Sequence, residues 1–157
     1  MGGATGSHRV YKMKPMTSKN TLKGASFTYA FRRINESIES GYYLEAVTLA
    51  ESIISDRLLS FVKHHKKSVN VKTTFHQLIQ LAAKHNTVAI QTKKGLDLFV
   101  ALDTWRVERN TCIHSISKSE PSTPTVPVDV FLALAEQCAK DGKALARLVC
   151  DWDKKHR

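Results

Sequence analysis

Between Tyr43 and Phe61 the apolar residues Tyr43, Val47, Ala50, Ile54, Leu58 and Phe61 recur at steps of four, three, four, four and three. That spacing fits the 3.6-residue repeat of an α-helix and excludes the two-residue alternation of a strand. A helix this long, apolar along one stripe, must be covered by other elements. The period predicts a helix over 42–64, with Glu45, Glu51 and Asp56 among its outer positions.

The rest of the chain offers more helices to do the covering. Phe27, Ala30, Phe31, Ile34 and Ile38 predict a helix over 26–38, which Ser40-Gly41 ends. A helix over 74–84 has Leu78, Leu81 and Ala82 on its face, with Thr73 or Thr74 placed to cap it. Another is predicted over 96–114. A last one follows Pro127, a residue suited to a first turn, and carries Phe131, Leu134, Cys138, Leu145, Leu148 and Val149. Gly142 in its middle marks a bend or a break. The links are the basic stretch 66–73, the segment 85–95 and the proline-bearing segment 117–127. Thr87-Val88-Ala89-Ile90 is β-prone but has no second strand to pair with, so 85–95 is read as loop. The expected architecture is all-α: an antiparallel four- to five-helix bundle over 24–157, preceded by a flexible basic tail over 1–23.

Charge narrows the partners. Lys and Arg number 24 against 14 acids, for a formal net charge of +10. The stretch before Gly24 holds Arg9, Lys12, Lys14, Lys19 and Lys23 and no acid. Such an excess attracts polyanions, of which nucleic acid is the commonest. Lys63, Lys66 and Lys67 flank His64 and His65, a cluster able to grip phosphate or simply to complement a helix C-terminus. The three cysteines, Cys112, Cys138 and Cys150, lie in apolar helical sequence with no C-x-x-C spacing. They are expected to be buried reduced thiols, and no metal site is expected. No segment has the apolar length of a membrane span, and the first residues lack an apolar signal-peptide run. The expectation is a soluble cytoplasmic chain with no membrane partner. P-loop, G-x-G-x-x-G, H-E-x-x-H and G-x-S-x-G patterns are absent, which argues against the corresponding enzyme classes.

The segment 96–114 carries a polar anomaly. Leu98, Leu102, Trp105, Arg109, Cys112 and Ile116 follow steps of four and three, so Arg109 occupies a core-facing slot. An unpaired guanidinium there is very costly. Arg109 must meet an acid such as Glu51 or Asp56, an anionic ligand, or a water-filled cleft. Beside that seam Asp103, Arg106, Asn110 and His114 share a flank, and Asn110 and His114 are neighbours at i,i+4. Arg109 and His114 are separated by roughly 140° on an ideal helix. They can flank one ligand if the helix loosens, or if a second copy completes the site across a two-fold axis.

Arg109-Asn110-Thr111-Cys112-Ile113-His114 resembles the R-x4-6-H motif of HEPN domains, including the polar residue after the arginine. The approach Leu102-Asp103-Thr104-Trp105-Arg106-Val107-Glu108 resembles the helix leading into that motif. Tyr43-Leu44-Glu45-Ala46-Val47-Thr48-Leu49 resembles the long second helix of such domains. The resemblance spans roughly residues 26–155. It implies a helical bundle that pairs as a homodimer with a composite active site. It also implies metal-independent endoribonuclease activity without a cofactor, in toxin–antitoxin, anti-phage or RNA-processing systems, with an antitoxin as a possible partner. Other members have lost activity and act as scaffolds that bind RNA or a nucleotide or hold a dimer together. One departure concerns control by nucleotidylation: its tyrosine, two residues past the histidine, is here Ile116.

The implied chemistry is attack of the RNA 2′-OH on the adjacent phosphate, leaving a 2′,3′-cyclic phosphate and a 5′-hydroxyl. His114 is the motif group that titrates near neutrality and is the expected general acid or base. Arg109 keeps its charge and forks onto phosphate oxygens. Asn110 orients the imidazole or a phosphate oxygen. Arg106, Lys63, Lys66 and Lys67 are the expected RNA backbone contacts.

Overall fold

A computed structural model describes residues 19–66, 68–115 and 126–156, with side chains from Leu22 onward. Five helices account for most of them: α1 (Lys19–Glu39), α2 (Tyr43–His65), α3 (Phe75–His85), α4 (Leu98–Ser115) and α5 (Val128–Lys154). The chain is an all-α bundle. No strand occurs among the described residues; Gln91 and Asp97 form one isolated antiparallel bridge.

The stripe on α2 is the centre of the core. Ala46, Val47, Ala50, Ile54, Leu58 and Val62 are fully enclosed. Burying each Val, Leu or Ile side chain contributes about 2 kcal/mol. The largest interface is between α2 and α5. Tyr43 packs on Ala135 and Phe131, while Arg57 meets Asp153 and Phe61 meets Trp152. These contacts advance together along both helices, so α2 and α5 run parallel. α4 runs against them, taking Phe99 to Trp152 at one end and Cys112 to Phe131 at the other. α1 returns on α2 through a tight turn at Gly41, whose φ of 79° is open to glycine at no steric cost. α3 runs parallel to α2, because the connector after α2 travels back along the bundle before α3 starts near Trp105 and ends near His65. The packing directions are therefore mixed, not uniformly antiparallel: the long connectors allow parallel neighbours that short turns forbid.

Local signals set the helix starts. Thr74 accepts from the Gln77 backbone N–H while the Gln77 side chain accepts from the Thr74 N–H, a capping box. Asp97 accepts from the Phe99 and Val100 N–H groups and starts α4 two residues later than the apolar pattern suggested. α1 begins at Lys19, inside the stretch expected to be a flexible tail. Its early turns are anchored by Lys23, whose ammonium lies 2.8 Å from Asp56, a contact invisible to local periodicity. Residues 1–18 lie outside the described residues, as do Lys67, 116–125 and Arg157.

α5 passes unbroken through Gly142, where the sequence suggested a bend or break. The glycine is there for proximity. A Cβ at that position would lie 2.6 Å from Cζ2 of Trp105 and 3.2 Å from Cβ of Ala50. The indole thus lies directly against the α5 backbone and donates Nε1–H to the Cys138 carbonyl at 2.9 Å.

Candidate active site

Arg109 sits on the core-facing flank of α4, and α2 supplies its acid. One guanidinium nitrogen, Nη2, donates to Glu51 Oε1 at 2.6 Å. The guanidinium carbon also lies 5.8 Å from the ring centre of Phe75, at the start of α3. Its Nε is buried and has no acceptor. The pair is only partly shielded from solvent, with side-chain exposures of 17% for Arg109 and 27% for Glu51. Burial pushes the Glu51 carboxyl above its ordinary pKa, and the neighbouring Arg109 pulls it back only in part. Asp56, the other acid considered, is taken by Lys23 and Arg57.

Asn110 is half-buried, and His114 is exposed in the last turn of α4. Among the described residues no hydrogen bond or ion pair joins any two of Arg109, Asn110 and His114. The ion pair to Glu51 turns Arg109 inward, while His114 faces out. Within one chain the three do not converge on a common point.

Arg106 is engaged nearby. Its Nε donates to Asp103 Oδ1 at 2.8 Å, and Nδ1 of His76 lies 3.3 Å from the same oxygen. The hydrogen bond from Arg106 is the main reason the Asp103 carboxyl is held below the ordinary range; His76 adds to it. His76 had no signal beyond an exposed position in α3. Its link to α4 spans 27 residues of sequence, which no local pattern reveals.

Lys63 and Lys66 lie away from this group. At about 1.5 Å per residue, Lys63 is roughly 18 Å farther along α2 than Glu51. Both are exposed at the end of the bundle where α2 and α5 finish. The expected RNA contacts thus divide into Arg106, beside the motif, and the two described lysines, remote from it.

The motif end has one further property. The first half of α5 is covered along one line only, by Cys112 and Tyr43 packing on Phe131 and Ala135. Val130, Leu132 and Leu134 remain 46%, 44% and 52% exposed, and Val107 on α4 is 50% exposed. Among the described residues, no group of three His, Cys, Asp or Glu side chains is arranged to hold a metal ion, and no helix is long and apolar enough to cross a membrane. Compared with models of known families, with curated proteins and with solved structures, the chain matches none.

Proposed function

We propose that this chain is a HEPN-like ribonuclease whose active site is assembled from two copies, each contributing Arg109, Asn110 and His114. The observation that carries the reading is the half-satisfied state of Arg109. It makes one hydrogen bond to Glu51 and keeps a buried Nε–H with no acceptor, on the helix whose last turn exposes His114. A buried orphan donor costs about 1–3 kcal/mol, and a phosphate oxygen is the acceptor that a guanidinium suits best. The uncovered apolar residues of α5 and Val107 give a second copy a surface to bury close to His114.

In this mechanism the 2′-OH of RNA attacks its own 3′-phosphate. The P–O5′ bond breaks as the O2′–P bond forms, giving a 2′,3′-cyclic phosphate and a 5′-hydroxyl. His114 of one copy takes the 2′ proton or supplies one to the leaving oxygen. Arg109 stabilises the charge that develops on the non-bridging oxygens. Asn110 orients the ring or the phosphate, and Arg106 adds a backbone contact. The biological setting that fits such an enzyme is a toxin or an anti-phage component held in check by a partner protein.

A second reading is a scaffold that binds RNA or a nucleotide, or holds a dimer together, without cleaving. The 2.6 Å bond between Arg109 and Glu51 favours it, because an arginine locked to an internal acid serves the bundle and not a substrate. One experiment separates the two. Purified protein is incubated with RNA in EDTA, beside the same oligonucleotide with 2′-deoxyribose at the cleaved position and beside His114→Ala. The nuclease reading expects cyclic-phosphate products from RNA alone and loss of turnover in the variant. Equal cleavage by His114→Ala, or cleavage of the deoxy substrate at a normal rate, overturns it. RNA binding that weakens with salt, without products, supports the scaffold.

A further inference from the structure

At the far end of the bundle from Arg109, the N-terminal part of α1, the last turns of α2 and α5, and Thr87 line an open cleft of about 800 Å³. That volume is typical of a small-molecule site. Its lining combines cations and imidazoles with one acid, Asp153, which is paired with Arg57, and with the part-exposed ring of Phe27. Lys155 lines it and makes no ion pair among the described residues. Lys23 and Arg57 also line it but are held by Asp56 and Asp153.

The histidines are placed in an informative way. His65 donates Nδ1–H to the Phe61 carbonyl at 3.0 Å, which leaves its Nε2 uncommitted. His156 does the same to the Trp152 carbonyl, also at 3.0 Å. The Nε2 of His156 is buried and has no partner. A second proton on that ring would make Nε2 a donor in need of an acceptor. The third imidazole is His64, which makes no hydrogen bond among the described residues and stands edge-on to His65 at 5.4 Å.

Some of this positive charge complements helix dipoles, because parallel α2 and α5 bring two C-termini to the same end. Dipoles explain cations on the outside of a helix end. They do not explain a cleft between the helices, a part-exposed Phe27 ring beside it, or an orphaned imidazole nitrogen at its edge. A compact dianion with an apolar body answers all three. We propose that this cleft binds a small phosphomonoester, its phosphate held by Lys155, His64 and His156 and its apolar part resting on the half-buried ring of Phe27. This site is independent of Arg109 and His114 and does not rest on the nuclease reading.

The test is calorimetric titration of the full chain with inorganic phosphate, phenyl phosphate and phenol. Saturable binding is expected for both phosphates, tighter for phenyl phosphate, and none for phenol. Lys155→Gln and His156→Gln should each weaken phenyl phosphate roughly tenfold, with helicity unchanged by circular dichroism. Lys93→Gln, an exposed lysine that does not line the cleft, should leave the affinity as it was. No saturable binding of either phosphate overturns the proposal. So does binding of phenol equal to that of phenyl phosphate, or an equal loss in Lys93→Gln, which would mean diffuse attraction to a basic protein. Because two separate side chains are changed, misfolding of one variant leaves the other to decide.

Discussion

Replacing Gly142 by Ala should destabilise the protein, against the ordinary rule for helix interiors. In an open helix the change gains about 1 kcal/mol, because alanine is the better helix former. Here the new methyl carbon would fall 2.6 Å from Cζ2 and 3.0 Å from Cε2 of Trp105. Neither neighbour yields easily. Trp105 is 1% exposed, and Ala50 closes the other side at 3.2 Å. Overpacking of this kind costs about 1–3 kcal/mol. Moving the indole also strains its hydrogen bond to the Cys138 carbonyl, a contact worth about 1 kcal/mol. The balance is a net loss of about 1–3 kcal/mol. Urea denaturation followed by circular dichroism and tryptophan emission measures it as a lower midpoint. A second background makes the test specific. In Trp105→Phe the smaller ring leaves the space free, so Gly142→Ala should there be neutral or stabilising by up to about 1 kcal/mol. A Gly142→Ala protein as stable as the parent in the Trp105 background would refute the steric argument.

Two further outcomes concern titratable groups. Because burial raises the Glu51 pKa, the folded state holds that proton more tightly than the unfolded chain does. This contribution is fully favourable below the unfolded glutamate pKa and disappears as pH rises through the folded value. The stability of the parent relative to Glu51→Gln should therefore fall across that window, and parallel pH profiles would contradict the assignment. For Cys138, burial pushes the thiol up to about 12. Iodoacetamide at neutral pH should leave it unmodified in the folded protein and label it in urea; rapid labelling of the native state, read by peptide mass, would show the site to be open.

Much of the fold was legible because it is written in short-range spacing. The α2 stripe, the Gly41 turn and the Thr74 cap each depend on residues within a few positions of one another. Arg109 stood out by the same logic, since a charged residue in an apolar series demands a partner, and Glu51 was one of the acids able to provide it. What local pattern could not supply was anything fixed by a distant segment. The early turns of α1 depend on Asp56, His76 is placed by Asp103, and Gly142 exists to admit Trp105. The parallel course of α2 and α5 belongs to the same class, as periodicity carries no information about direction. The remaining candidate residues were read from a motif and its helix, and in the described chain Arg109 turns to Glu51 while His114 is exposed.

The alignment of α2 with α5 also bears on how the molecule is made. Arg57 and Asp153 are separated by 96 residues, and the same wide separation holds along the whole interface. During synthesis α2 emerges early, and until α5 follows it has only α1, α3 and α4 to shield its apolar stripe. Helical hairpins with neighbouring partners close quickly, whereas this pairing must wait for a long loop to be ordered. The nascent chain therefore carries a sticky ridge through most of its translation, and a polypeptide stopped before Val128 should collapse loosely and aggregate instead of yielding a smaller stable bundle.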